Sequence, residues 1–255
     1  MALPGFLELL VLSTVMGLAI FLSLPLVLRR SRTERLVNFL SGASIGILVF
    51  ILADVWGDVA ALLYGGNSYF TDPALDAIFL FGVVVAFGGL FVLENRPGRS
   101  GEVSPTSTAL IVALAIGFQN LTEGMVFGTA WAAGALGLLT VIFVGFILQN
   151  ITEGFPIAGP LLRAKERRLT QFSFYFFLGG IPTVLGAGIG FFWFSVPLAV
   201  FFDALAIGTC LYVILPMLKA AFRPAETPAA SLLKQRLTYL GIGLGFVVGF
   251  LVNAI

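Results

Sequence analysis

The feature that most constrains this chain is a succession of nearly uninterrupted apolar runs, each about 20 residues long and parted by short polar or turn-rich breaks. A run of that length and continuity matches the hydrocarbon thickness of a bilayer as a helix, whereas a barrel strand would alternate and stop at about ten residues. The runs predict helices over approximately 6–28, 37–63, 74–94, 108–131, 134–161, 171–193, 196–219 and 236–254. With 255 residues, 59% of them hydrophobic and 11% charged, little is left for a soluble domain. The expectation is an all-α integral membrane protein of eight transmembrane helices, a single transmembrane domain over 1–255. Phe6 to Leu28 is too long for a signal-peptide core and has no basic stretch before it. It reads as a retained helix, with the mature protein beginning near Met1.

The fourteen Lys and Arg residues fall in alternate connections. Arg29, Arg30, Arg32 and Arg35 lie between the first two spans, Arg96 and Arg99 between the third and fourth, and Arg163, Lys165, Arg167 and Arg168 between the fifth and sixth. Lys219, Arg223, Lys234 and Arg236 lie between the seventh and eighth. The positive-inside rule makes these connections cytoplasmic and both termini extracytoplasmic, in a plasma (inner) membrane. Trp56, Trp131 and Trp193 fall near the predicted outer ends, where indole rings favour the interface. A net charge of +1 argues for neither nucleic acid nor an acidic partner. The lone Cys210 reads as packing, and histidine is absent, so an ion site must be built from oxygen and amide groups.

Carboxylates inside a span cost at least about 2.5–3.5 kcal/mol each and are functional candidates. The deepest here are Glu123 and Glu153, and each closes the same pattern: Gln119-Asn120-Leu121-Thr122-Glu123-Gly124 and Gln149-Asn150-Ile151-Thr152-Glu153-Gly154. On a helix, Gln and Asn lie four and three residues before the Glu, so all three share one face. The fourth and fifth spans are joined by a very short turn, which sets the two Gln residues at similar depth and predicts six oxygen donors converging near the midplane. Amides and threonines can also simply hydrogen-bond helices together. Duplication, with no basic residue beside either Glu, favours an ion site in which Gln119, Asn120, Glu123, Gln149, Asn150 and Glu153 hold a divalent cation. Asp54 and Asp58, four apart near the outer end of the second span, read as an entrance for cations, and Asp203 is a similar edge acid. Pro182 predicts a kink that frees backbone carbonyls beside the cluster. Gly241, Gly245 and Gly249 form a packing stripe.

At the two hexapeptides the sequence resembles the ZIP family of zinc and iron permeases, which carries His-Asn-x-Pro-Glu-Gly on its fourth span and a similar segment on its fifth. Leu40-Ser41-Gly42, the Gly-Ile-Pro turn at Pro182 and Leu211-Tyr212-Val213 fit the same layout. The resemblance implies a ZIP-like eight-helix bundle with both termini outside, no resident cofactor, and a binuclear metal site on the six motif residues. Family members look like elevator-type carriers and often form homodimers. Gln119 stands where the family has His, Thr122 and Thr152 where it has Pro, and Thr183 where an acidic residue often follows the sixth-span proline. The donor set that remains suits Mn²⁺, Mg²⁺ or Fe²⁺ better than a nitrogen-containing site, with Zn²⁺ the family's own cargo. The alternatives are a degenerate ZIP-like protein with another solute or a sensing role, and an intramembrane metalloenzyme. Against the enzyme, the spans offer no His and no Ser-Lys pair to assist a nucleophile.

Overall fold

The computed structural model describes residues 5–25, 33–65, 72–94, 104–134, 136–164 and 168–254. Among them all regular structure is helical, and eight stretches are long and apolar enough to cross a membrane. The helices are α1 (Phe6–Leu18, tightening to a 3₁₀ segment over Ala19–Ser23), α2 (Glu34–Tyr64), α3 (Pro73–Glu94), α4 (Pro105–Ala132) and α5 (Leu136–Leu161). The sixth span is two helices, α6 (Leu169–Gly180) and α7 (Pro182–Phe192), followed by α8 (Val196–Ala221) and α9 (Pro228–Asn253).

Capping chemistry sets where these helices begin. Thr33, Ser104 and Thr227 each accept from a backbone N–H three residues on, and Pro105 and Pro228 occupy first-turn positions whose N–H would be unpaired in any case. The apolar run alone places the last helix at 236, but Thr227-Pro228 starts it eight residues earlier. Lys234 and Arg236 therefore ride on the first turns of α9, Arg35 on α2 and Lys219 on α8, rather than in the connections. A helix continues as long as its backbone is capped and paired, regardless of whether its side chains are apolar. Arg29, Arg30, Arg32, Arg96, Arg99, Lys165 and Arg167 lie outside the described residues. Between α4 and α5, Gly134 takes φ +67°, a left-handed conformation that a side chain disfavours, and its N–H returns to Trp131 O at 3.0 Å. The sixth span breaks at Ile181 because Pro182 supplies no N–H to continue α6.

Two backbone-to-backbone seams organise the bundle. A Cβ on Gly124 or Gly128 of α4 would strike the Thr183 or Ala187 carbonyl of α7, and one on Gly186 or Gly190 of α7 would strike Leu121 or Met125 of α4. On the other side, Gly42 and Gly46 of α2 lie against Thr238 and Ile242 of α9, with Gly241 and Gly245 returning the fit against Phe39 and Ala43. Small residues let backbones approach where lipid gives helices no hydrophobic reason to associate. α1 packs on α5 and α7, and α3 on α8, so α1, α4, α5, α6 and α7 form one group and α2, α3, α8 and α9 another. They meet where α4 crosses α8 and α5 crosses α2, around Ile45, Leu48, Val112, Ile116, Ile157 and Val213, all buried. α3 is the outlier, with Gly82 its one buried residue.

Interactions define the bundle's two ends. At one, Phe6 packs on Phe191 and Phe192 at 5.2 and 5.1 Å, Gly5 lies beside Trp131, and Asn253 reaches Asp54. At the other, Arg163 donates from Nη2 to Asn38 Oδ1 (3.1 Å) and from Nε to Ser41 Oγ (3.4 Å), tying the end of α5 to the start of α2. Burial there pulls the guanidinium below its usual pKa, Glu34 nearby opposes the shift, and the group stays charged at neutral pH. We call these the tryptophan end and the basic end.

Candidate metal-ion site

The local fold of the two hexapeptides is the same. Thr122 Oγ1 donates to Gln119 O and Thr152 Oγ1 to Gln149 O, both at 2.7 Å, a return to the i−3 carbonyl that leaves the Gln, Asn and Glu side chains facing inward. All six motif side chains are buried. The helices run antiparallel, and Gln119 and Gln149 lie at matching depth, about 20 Å from the tryptophan end at 1.5 Å per residue. From that shared level the chain leads to the two Glu residues in opposite directions. Glu123 is about 14 Å from the tryptophan end and Glu153 about 26 Å.

The hydrogen bonds accordingly divide into two tiers. In the upper, Glu123 Oε1 accepts from Gln119 Nε2 (2.9 Å) and Gln149 Nε2 (2.6 Å). In the lower, Asn120 Nδ2 faces Glu153 Oε2 (2.9 Å), Asn150 Oδ1 (3.1 Å) and the Gly179 carbonyl (2.9 Å), three acceptors for two hydrogens. Gly179 lies just before the break at Ile181, so a backbone oxygen beside the proline break joins the cluster. The single convergence expected of six oxygens is thus two linked levels, with amide N–H groups turned toward the carboxylates. A buried carboxylate without a basic neighbour draws whatever protons lie in reach. The consequence is a set of buried acceptors with no partner among the described residues: Gln119 Oε1, Asn120 Oδ1, Glu123 Oε2 and Glu153 Oε1. α4 to α7 contain no Lys or Arg to answer them. Pro156 and Pro160, inside α5, leave the Thr152 and Pro156 carbonyls without helical N–H donors as well.

A cavity of about 290 Å³ opens beside the upper tier, lined by Glu123, Gln149 and Thr122 together with Asp54, Asp58, Asp203 and Asn253. Asp54 and Asp58 thus share a space with Glu123 and not with Glu153, which is 0% exposed and lies beyond the cavity lining. Asp54 Oδ1 accepts from Asn253 Nδ2 at 2.5 Å. By sequence Asp203 is one more acid near a span end, yet it is buried and its Oδ1 accepts from Thr122 Oγ1 at 2.7 Å. Its depth was the available signal: seven residues into α8 puts it about 11 Å from the tryptophan end, near the level of Glu123. Among the described residues no three acidic or cysteine side chains group into a metal-ligating set, so a cation here must draw on amide oxygens too. Cys210 is buried in the apolar core.

Compared with family models and with curated proteins, the sequence matches none.

Proposed function

We propose that this protein is a divalent-cation transporter of the ZIP type, passing Mn²⁺, Fe²⁺, Mg²⁺ or Zn²⁺ along the two tiers between α4 and α5. One observation carries the reading: four buried acceptor oxygens without partners among the described residues, two of them on carboxylates, in helices that hold no basic residue. Cations passing from one tier to the other would supply the missing partners in turn, whereas a packing network would pair its donors and acceptors. Glu123 and Glu153 together balance one divalent charge, and the amide and carboxylate oxygens match the harder ions. The positive-inside rule puts the basic end in the cytoplasm, so the cavity faces outward and Arg163 closes the opposite side. The two glycine-seamed groups suit a cycle in which the motif helices shift as a unit against α2, α3, α8 and α9, as in the elevator-type carriers that the motifs resemble. We favour transport over catalysis because the chain holds no His, and α4 to α7 no Lys, to assist a nucleophile.

Uptake into reconstituted vesicles across a panel of Mn²⁺, Fe²⁺, Zn²⁺ and Mg²⁺ tests the proposal. At least one ion should be taken up saturably by the wild type and not by a Glu123→Gln, Glu153→Gln double variant that still inserts. Equal uptake by the two proteins rules out this pathway.

A further inference from the structure

Resting on the transport reading, we propose that Asp203 is a ligand for the divalent cation at the mouth of the pathway, sharing it with Glu123 and Gln149 before the ion descends to the Glu153 tier. Asp203 comes from α8, in the group of helices that does not carry the motifs. It is 3% exposed, and it lines the same cavity as Glu123, which is 6% exposed and whose Oε2 has no partner. The backbone positions of Asp203 and Glu123 differ by about 3 Å in depth at 1.5 Å per residue, and both side chains line the one cavity that an ion would enter.

Charge and hydrogen bonding favour a ligand over a strut. Among the described residues Asp203 accepts from the Thr122 hydroxyl, whose single proton is also directed at Gln119 O. A buried carboxylate holding half a neutral hydrogen bond is poorly compensated, and a divalent cation between it and Glu123 would neutralise both charges. Glu153, outside the cavity lining, has no part in that first neutralisation. The ion therefore passes from a pair that bridges the two helix groups to a pair within one group, leaving Asp203 behind. Hard divalent ions that retain part of their water fit such a mixed carboxylate and amide mouth.

Saturation kinetics of Mn²⁺ uptake in vesicles separates the roles. Asp203→Asn keeps size and the hydrogen bond but removes the charge, and should raise half-saturating Mn²⁺ about tenfold or more while maximal rate stays within about threefold. Thr122→Val removes the hydroxyl and keeps the charge, and should move half-saturation far less. If Asp203→Asn fails to fold, Asp203→Glu carries the test, because a longer carboxylate in the mouth should change the ratio of Mn²⁺ to Mg²⁺ uptake. An unchanged half-saturation in Asp203→Asn, a Thr122→Val defect as large as that of Asp203→Asn, or an unchanged ion ratio in Asp203→Glu would each overturn the assignment. Those outcomes leave wild-type uptake intact, whereas a wild type that moves no divalent ion refutes the transport reading itself.

Discussion

Replacing Glu153 by Gln should make the ion-free protein more stable and its response to metal weaker, a pair of effects of opposite sign. Glu153 is 0% exposed, accepts from Asn120 Nδ2 through Oε2 and leaves Oε1 unpartnered. Glutamine can still accept at one position and brings two N–H donors into surroundings where Gln119 Oε1 and Asn120 Oδ1 lack partners. Exchanging a charge-assisted for a neutral hydrogen bond costs about 1 kcal/mol, while relieving an uncompensated buried charge returns several, for a net gain of about 1–3 kcal/mol. Losing a carboxylate ligand should weaken Mn²⁺ binding about 100-fold, within the 2–5 kcal/mol usual for unpairing a buried charge. At a Mn²⁺ concentration 100 times the wild-type Kd, the wild type then gains about 2.7 kcal/mol from the ion and the variant only about 0.4 kcal/mol. Thermal unfolding in detergent with and without Mn²⁺ reads both quantities. A variant that melts below the wild type without metal yet keeps the full metal-induced increment would refute the reasoning.

Three further outcomes follow. Gly186→Ala should destabilise by about 1–3 kcal/mol because its Cβ meets the Leu121 carbonyl across the α4–α7 seam, whereas Gly188→Ala, with open space at its Cβ, should be neutral or gain up to about 1 kcal/mol of helix propensity; paired thermal melts check this. Arg163→Ala should cost about 1–2 kcal/mol through its bonds to Asn38 and Ser41 and speed labelling, from the basic end, of a cysteine introduced at Thr108, which lines the same cavity as Arg163, measured by timed maleimide modification. Gln119→His should move preference toward Zn²⁺ by about tenfold relative to Mn²⁺ in competition uptake, since imidazole nitrogen suits zinc.

Much of the fold was legible because bilayer-length apolar runs permit few alternatives, and the face shared by Gln119, Asn120 and Glu123 follows from helical spacing alone. The break at Ile181 could be read from Pro182. The early start of α9 could not be read from apolarity, since Thr227 and Pro228 act through the backbone and the first turns carry polar residues. The two tiers were missed for a directional reason: equal depth of Gln119 and Gln149 in antiparallel helices forces Glu123 and Glu153 to opposite sides of that level. Asp203 was invisible as a partner of Thr122 because the contact joins residues 81 positions apart on helices with no shared motif.

The exposure of α3 has a consequence for the surrounding lipid. Asp76 and Glu94 stand near its two ends, separated by about 27 Å of helix, and Tyr212 on α8 donates to Glu94 at 2.5 Å and fixes that end. About half of the residues between them are exposed, on one flank of the helix, so acyl chains touching this flank must fit between two carboxylates set slightly closer than a typical hydrocarbon thickness of about 30 Å. The helix works as a gauge. Membranes a few Å thicker would have to dimple along this one side, at a fraction of a kcal/mol for each Å, and the protein would partition toward thin bilayers.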